Sequence, residues 1–326
     1  MMLSIFAISS SFLILLTLAP FVPSNHWVVM VWEFPRLQIG VLLLVNVVLI
    51  ALFYRQTPLY GAGLIAINLM ALGYQLYWIL PFTCLVNPTV NRAAAVDPKR
   101  CIKVINANVL MTNRDVHKLI ALVDKHEPHI LVTLESNQWW QDALTPLHET
   151  YRYRVNFPLE NLYGMHVFSR IPLSEIVTEE RVEQGVPSIH CIATLPSGEQ
   201  VRCHFLHPAP PSPTENTEAT ERDRELLGLA REIASRKDGK PLPVLVSGDL
   251  NDVAWSPTTR AFLRISGLQD PRVGRGAYNT FHAQYRFARW PLDHIFHSAD
   301  FELVNLARLP EIGSDHFPLL TELVLK

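Results

Sequence analysis

Short apolar runs in this chain repeatedly end in residues able to hold a cation, move a proton or bind an anionic oxygen. Asn106-Ala107-Asn108 closes one such run, Glu135 follows Leu131-Val132-Thr133-Leu134, and His207 follows Cys203-His204-Phe205-Leu206. Gly248-Asp249-Leu250-Asn251 follows Val244-Leu245-Val246-Ser247, and Asp293 is joined late in the chain by Ser314-Asp315-His316. Any single Asp or Asn after a strand is usually a turn former or a helix cap. Taken together, the five places offer carboxylate oxygens for a hard divalent cation and imidazoles for proton exchange near neutral pH. A scaffold of strands can aim such residues into one crevice while the apolar runs pack behind them.

In order along the chain, these segments resemble the endonuclease/exonuclease/phosphatase (DNase I-like) superfamily. Ser247-Gly248-Asp249-Leu250-Asn251-Asp252 resembles its Gly-Asp-Phe-Asn signature, and Gly313-Ser314-Asp315-His316-Phe317-Pro318-Leu319 resembles its terminal Ser-Asp-His-x-Pro signature. Leu292-Asp293-His294-Ile295-Phe296 looks like the family's Ile-Asp-His/Tyr-Ile segment. The resemblance covers residues 101–326. It implies an α/β fold, a four-layer α/β sandwich of two packed, mixed but largely antiparallel sheets flanked by helices. Two departures lie beside the chemistry: Ala107 stands where an aromatic usually precedes the second Asn, and Leu250 replaces the familiar Phe.

The resemblance also implies a division of labour that suits phosphate-ester hydrolysis, where an anionic substrate requires charge neutralisation, an aligned water and help for the leaving oxygen. Glu135 is the expected ligand for Mg²⁺ or Mn²⁺, with Asn108 completing the shell and Asp315 at the same metal site. His316 is expected to contact the nucleophilic water or the scissile phosphate, with Asp293 fixing its tautomer. Asp249 orients or deprotonates water, Asn251 donates to a phosphoryl oxygen, and His207 contacts the phosphate or leaving group. Asn106 and Arg170, the latter in Val167-Phe168-Ser169-Arg170, are expected at the substrate rim.

The elements that must position these residues read from periodicity. Residues 102–107, 129–134, 151–156, 164–168, 189–195, 201–206, 243–247, 292–296, 301–306 and 317–323 have strand character. Val116, Leu119, Ile120 and Val123 fall on one helix face. A second helix is expected after Pro213, capped by Thr214 or Thr217, with Leu226, Leu227, Ala230, Ile233 and Ala234 on one side and a merely solvated polar face on the other. Cys191 and Cys203 flank a hairpin turn and could be cross-strand neighbours, bridged or as buried free thiols.

Charge is confined to one end of the chain. Of 28 basic and 30 acidic residues, only Glu33, Arg36 and Arg55 fall in residues 1–91. Three uncharged apolar runs at 2–22, 37–54 and 58–82 each approach the ~20 residues that cross a hydrocarbon core as helix. The expected organisation is therefore a membrane anchor over 1–82, a linker over 83–100 and a catalytic domain over 101–326. Arg55 favours a cytoplasmic second loop, whereas Arg92, Lys99 and Arg100 favour a cytoplasmic catalytic domain. Resemblance to other membrane-tethered members implies a catalytic domain outside the cytoplasm.

These readings converge on a multi-pass cell-membrane phosphoesterase, with the lipid bilayer and a phosphate ester as partners and no obligate protein partner. The substrate is nucleic acid, phospholipid or lipid-linked phosphate. A duplex-gripping nuclease calls for a basic stripe, yet residues 92–326 hold 26 Lys and Arg against 29 Asp and Glu without a dense basic run. A membrane tether favours lipid-borne substrates. Arg272, Arg275, Arg286 and Arg289, interleaved with Phe281, Tyr285, Phe287 and Trp290, form the nearest approach to a substrate loop. The competing reading is a catalytically inactive membrane-bound module for a phosphate ligand or protein, which predicts a missing core ligand. A zinc-structural role fails because no close Cys/His set has zinc-finger spacing.

Overall fold

The computed structural model describes residues 2–53, 58–235 and 241–326. Arg55, one of the two opposing signals for orientation, lies outside the described residues. The chain divides into two compact units, Met1–Val86 with Pro211–Ala219, and Asn87–Pro210 with Thr220–Lys326.

The first unit is helical: α1 Met2–Leu18, the short α2 Trp27–Met30, α3 Arg36–Phe53 and α4 Pro58–Ile79. Three helical stretches, Ser4–Phe21, Arg36–Phe53 and Leu59–Phe82, are long and apolar enough to cross a membrane. Leu13, Ile39, Leu43 and Ala71 pack where the helices meet. The polar residues point inward: Ser10, Asn46 and Asn68 are buried, while Phe12 is 56% and Met70 68% exposed. This inside-out distribution suits hydrocarbon, which solvates apolar side chains and leaves amides to find partners within the bundle.

The second unit contains two sheets. The first has the order β10-β11-β1-β2-β4-β3, built from β1 Cys101–Asn108, β2 Ile130–Leu134, β3 Tyr153–Phe157, β4 Met165–Ser169, β10 Phe301–Arg308 and β11 Leu319–Leu325. The second has the order β5-β6-β7-β8-β9, built from β5 Leu173–Glu179, β6 Ser188–Thr194, β7 Gln200–Leu206, β8 Val244–Asp249 and β9 Asp293–His297. Each sheet has one parallel pair, β1 with β2 and β7 with β8, and is otherwise antiparallel.

Strand alternation assigns the faces. Ile102 and Val104 of β1, Val132 of β2, Cys203 and Phe205 of β7, Leu245 of β8 and Ile295 of β9 share one core between the sheets. The opposite face of the first sheet, with Ile105, Leu131 and Phe168, packs under α5 Val116–His126 and α6 Gln138–Ala143. Val246 and Phe296 of the second sheet pack under α7 Thr220–Ser235 and α8 Pro257–Ser266. The result is the four-layer α/β sandwich implied by the resemblance.

Several details differ from the sequence reading. Helix α7 begins at Thr220 rather than beside Thr214 or Thr217, because residues 211–219 instead pair with the helical unit through a bridge between His26 and Glu218. Edge strand β5, with alternate faces both largely exposed, lacks the alternation of a half-buried strand, and α8, although amphipathic and capped by Ser256 and Gly267, is not among the sequence-based expectations. Val90, within the expected linker, is buried in the sandwich core, and Ala93 donates its N–H to the Leu303 carbonyl. Cys191 and Cys203 are directly opposite on β6 and β7, both buried and both free thiols.

Candidate active site

The inward-facing rows of both sheets turn polar at one end. On β1, the side of Ile102 and Val104 continues as Asn106 and Asn108; on β8, that of Leu245 continues as Ser247 and Asp249; β7 leads into His207. Strand direction brings these ends together. Parallel β1 and β2 both finish there, so Glu135 follows β2 beside Asn108, whereas antiparallel β9 and β11 start there, which places Asp293 and the Asp315-His316 turn at the same end.

Asp249, Asp293 and His316 form the tightest group: their ligand-type atoms lie within 4.8 Å of one another, and all three residues are buried. His316 Nδ1 donates to Asp293 Oδ2 at 2.7 Å, and its Nε2 faces Asp249 Oδ2 at 3.4 Å. Burial alone would lower the imidazole pKa, but the charges of Asp249 and Asp293, the hydrogen bond to Asp293 and the charge of Asp315 lift it to about 10. Burial in turn pushes the Asp293 carboxyl up, against the pull of His316. His207 Nε2 stands 3.9 Å from Asp249 Oδ2, and its Nδ1 has no hydrogen-bond partner among the described residues. Burial lowers the His207 pKa to about 4 despite the pull of Asp249, so this second imidazole is neutral.

Glu135 lies on the other side of Asn108. Its backbone is left-handed at φ 55° and that of Asn251 is left-handed at φ 50°, each a conformation that costs non-glycine residues about 1–3 kcal/mol and persists where the surroundings enforce it. Burial raises the Glu135 carboxyl to about 7, against the Asn108 hydrogen bond and the His316 charge, with Asp315 and Asp249 pushing the same way as burial. Gly248 is required by closeness: a Cβ there would lie 1.9 Å from the Leu206 carbonyl oxygen on the neighbouring strand.

The structure therefore gathers Asn108, Glu135, His207, Asp249, Asn251, Asp293, Asp315 and His316 at one end of the sandwich. Two of them make contacts other than those expected. Asn108 Oδ1 accepts the Leu110 N–H at 3.1 Å, which leaves that oxygen one lone pair, and its Nδ2 donates to Glu135 Oε1 at 2.7 Å and to Asp249 Oδ2 at 3.2 Å. Asn251 Nδ2 is held by the Pro208 carbonyl at 3.0 Å, which ties the Asp249 turn to the His207 segment.

Two rim assignments are corrected. Asn106 is fully buried and donates to Asp293 Oδ1 at 2.9 Å, so it supports Asp293 rather than reaching substrate. Arg170 leaves the far end of β4, which runs antiparallel to β2; its guanidinium meets Glu127 and stacks on Tyr151. The arginine-rich loop also divides. Arg272 is buried against Asp270 and donates to the Asp293 carbonyl at 3.2 Å, and Arg275 donates to the Pro271 and Val90 carbonyls. Arg289 stacks on Phe317, leaving Tyr285, Arg286 and Phe287 exposed at the tip.

Other residues went unread in the sequence. Arg222, one turn before Leu226 on the inward face of α7, is 1% exposed and donates to the Asn251 carbonyl at 2.8 Å. Tyr163 places its ring 5.3 Å from that of His207. No local pattern announces either contact, since each spans long sequence separations.

A divalent cation fits the chemistry of this group. Glu135, Asp249, Asp293 and Asp315 set four carboxyls against the His316 imidazolium, and Asp315 and Asp249 add to the effect of burial in raising the Glu135 carboxyl. Oxygen-rich donors of this kind suit Mg²⁺ or Mn²⁺.

A two-sheet α/β sandwich carrying carboxylates and imidazoles at its strand ends is the architecture of a phosphoesterase fold. The profile of the Endonuclease/Exonuclease/phosphatase family matches residues 105–316, and the chain belongs to that family. Among solved structures it is similar to humanized D. rerio TDP2, with 15% identity and TM-score 0.56 over 69% of this chain and 99% of that one. The human Nocturnin catalytic domain gives 18% identity and TM-score 0.55 over 71% and 97%. A Bacteroides thetaiotaomicron mannosyl-6-phosphatase gives 19% and 0.51 over 69% and 100%. At these identities the likeness concerns the fold. Among curated protein sequences the chain has no significant match.

Proposed function

We propose that this protein is a multi-pass membrane phosphoesterase that uses Mg²⁺ or Mn²⁺ to hydrolyse phosphodiester or phosphomonoester bonds by in-line attack of water. The observation that carries the reading is the convergence of Asp249, Asp293 and His316 within 4.8 Å beside Glu135 and Asn108. Glu135 would hold the cation with Asp315 near by, and a bound cation supplies positive charge that neutralises the substrate and polarises its phosphorus–oxygen bonds.

The remaining roles follow from protonation. His316, raised to about 10, is an imidazolium that donates to a phosphoryl oxygen rather than taking a proton from water. Asp249 is then the acceptor that aligns the attacking water. His207, neutral and with a nitrogen to spare, suits the leaving-group side. Asp293, held by Asn106 and His316, sustains the imidazolium.

A chain with three apolar helices keeps its sandwich within tether range of a bilayer, which favours phospholipid or lipid-linked phosphate over nucleic acid. The sandwich is proposed to lie outside the cytoplasm. Cys84, the exposed thiol after the last apolar helix, reports the side, since Cys101, Cys191 and Cys203 are buried. A membrane-impermeant maleimide should label it in intact cells, and protection until lysis would reverse the orientation.

The full chain in detergent should hydrolyse an activated phosphodiester or phosphomonoester with added Mg²⁺ or Mn²⁺, and chelator should abolish the activity. Absence of turnover across phospholipids, polyprenyl pyrophosphates, single- and double-stranded DNA and RNA would defeat the reading.

A further inference from the structure

The outward face of the first sheet carries a polar chain where its neighbours are apolar. Thr133 of β2 and His166 of β4 are directly opposite each other, both fully buried, on the face that also carries Leu131 and Phe168. Thr133 Oγ1 donates to Ser136 Oγ at 3.0 Å, and Ser136 Oγ lies 2.6 Å from His166 Nδ1. On the far side of the ring, Nε2 meets Gln141 Oε1 of α6 at 3.3 Å. An amide oxygen only accepts, so Nε2 carries the ring hydrogen and Nδ1 offers a lone pair to the Ser136 hydroxyl. Burial lowers the imidazole pKa to about 4, which keeps the ring neutral.

An imidazole in a fully buried strand costs desolvation that a valine would avoid, so its contacts have to be worth that cost. Ser136 immediately follows Glu135, whose left-handed backbone must be enforced from outside. Ser136 is held at its N–H and its hydroxyl: the N–H donates to the Gly164 carbonyl at 3.0 Å, and the hydroxyl accepts from Thr133 Oγ1 and meets His166 Nδ1 at 2.6 Å, its shortest contact, ahead of the Thr133 and Gly164 carbonyls at 3.2 and 3.4 Å. Gly164 must lack a side chain for this grip, because a Cβ there would sit 2.2 Å from the Ser136 carbonyl oxygen.

We propose that His166, acting through Ser136, is a positioning residue that locks the turn after β2 so that the Glu135 carboxylate is presented to the cation. The inference rests on the phosphoesterase reading for the identity of that cation, and on hydrogen bonds alone for the lock. A loosened turn lets Glu135 relax toward ordinary backbone and swing its carboxylate away from Asn108. Cation affinity then falls while the rest of the site, on other strands, keeps its geometry.

The test measures Mn²⁺ binding to the full chain in detergent by electron paramagnetic resonance, which reads free ion without turnover. His166→Leu removes the acceptor and should weaken Mn²⁺ about tenfold or more, the usual range for partners that orient metal ligands. His166→Asn places an amide oxygen near the lost Nδ1 and should restore much of the affinity, whereas a role in packing alone favours leucine over asparagine. Ser136→Ala, a smaller change for use if His166→Leu does not fold, should reproduce the loss. Turnover should follow the same split, with kcat at saturating Mn²⁺ nearly retained and the Mn²⁺ requirement raised. Unchanged affinity in both His166→Leu and Ser136→Ala, or His166→Asn binding no better than His166→Leu, overturns the inference alone. A wild-type chain that binds no Mn²⁺ overturns the phosphoesterase reading with it.

Discussion

In the helical unit, Asn46 donates to Ser10 and Asn68 at 3.0 and 3.1 Å, and Asn68 donates back to Ser10 at 2.8 Å, so neutral groups from three helices close on one another. In the sandwich, the buried end of the strands holds Asp249 and Asp293 against a single close imidazolium, with Glu135 and Asp315 adding further negative charge. The first arrangement is balanced by its own members. The second sets like charges together without a structural need for them, and in the proposed reaction a cation would balance it. Buried polarity that is complete in itself marks a structural node; buried polarity with an electrostatic remainder marks a place for chemistry.

The most forceful way to break that contrast is to remove members of the charged group. Asp249→Ala and His316→Ala should each lower turnover by at least two orders of magnitude, about 2.7 kcal/mol in barrier at ~1.36 kcal/mol per tenfold. Asp249→Ala relieves like-charge repulsion and should leave the sandwich folded by circular dichroism, whereas His316→Ala removes the cation between Asp249 and Asp293 and should lower Tm while keeping the folded spectrum at low temperature. Wild-type rates in both variants would show that the convergence is incidental to turnover.

The charged group was largely legible in the sequence because its members stand at strand ends within signature segments, as in Gly248-Asp249 and Ser314-Asp315-His316. What periodicity does not reveal is the direction in which a strand crosses the sheet. Arg170 follows its strand just as Glu135 follows β2, yet β4 runs antiparallel to β2 and delivers Arg170 to the opposite end. The same reversal puts the start of β4, with Gly164 and His166, behind Glu135, so an undistinguished strand residue becomes part of the site's support. Arg222 and Asn106 were obscured for another reason: each acts on a turn that is remote in sequence, through contacts that only the packed sandwich creates.

A milder probe titrates the charge rather than deleting it. The His316 pKa is raised from 6.5 to about 10, so its contribution to stability is fully present below 6.5 and is lost as pH rises toward 10. The raised Asp293 carboxyl acts in the same direction. Without added metal, the sandwich should lose up to about 2 kcal/mol between about pH 7 and about pH 9, read as a falling Tm. Glu135, raised to about 7, is fully ionised only above that range's lower end, so Mg²⁺ or Mn²⁺ should raise Tm more at the alkaline end. A Tm that is flat with pH, or metal stabilisation that is greatest in acid, would remove the electrostatic remainder on which the contrast depends.

The smallest effect is expected in the neutral node. Asn68→Leu replaces an amide that is 0% exposed and that bonds both Ser10 and Asn46. Interhelical hydrogen bonds in hydrocarbon average only about 0.6 kcal/mol each, because an unfolded chain in the bilayer also finds partners. Two lost bonds, offset by better apolar packing, should cost the bundle about 1 kcal/mol or less, read as a small shift in its detergent-induced unfolding. Turnover should stay within about twofold of wild type, since the node contains no ionisable group and its charge balance is unchanged. A loss of turnover as large as that from Asp249→Ala would mean that the node is not closed on itself and that the helical unit takes part in the chemistry.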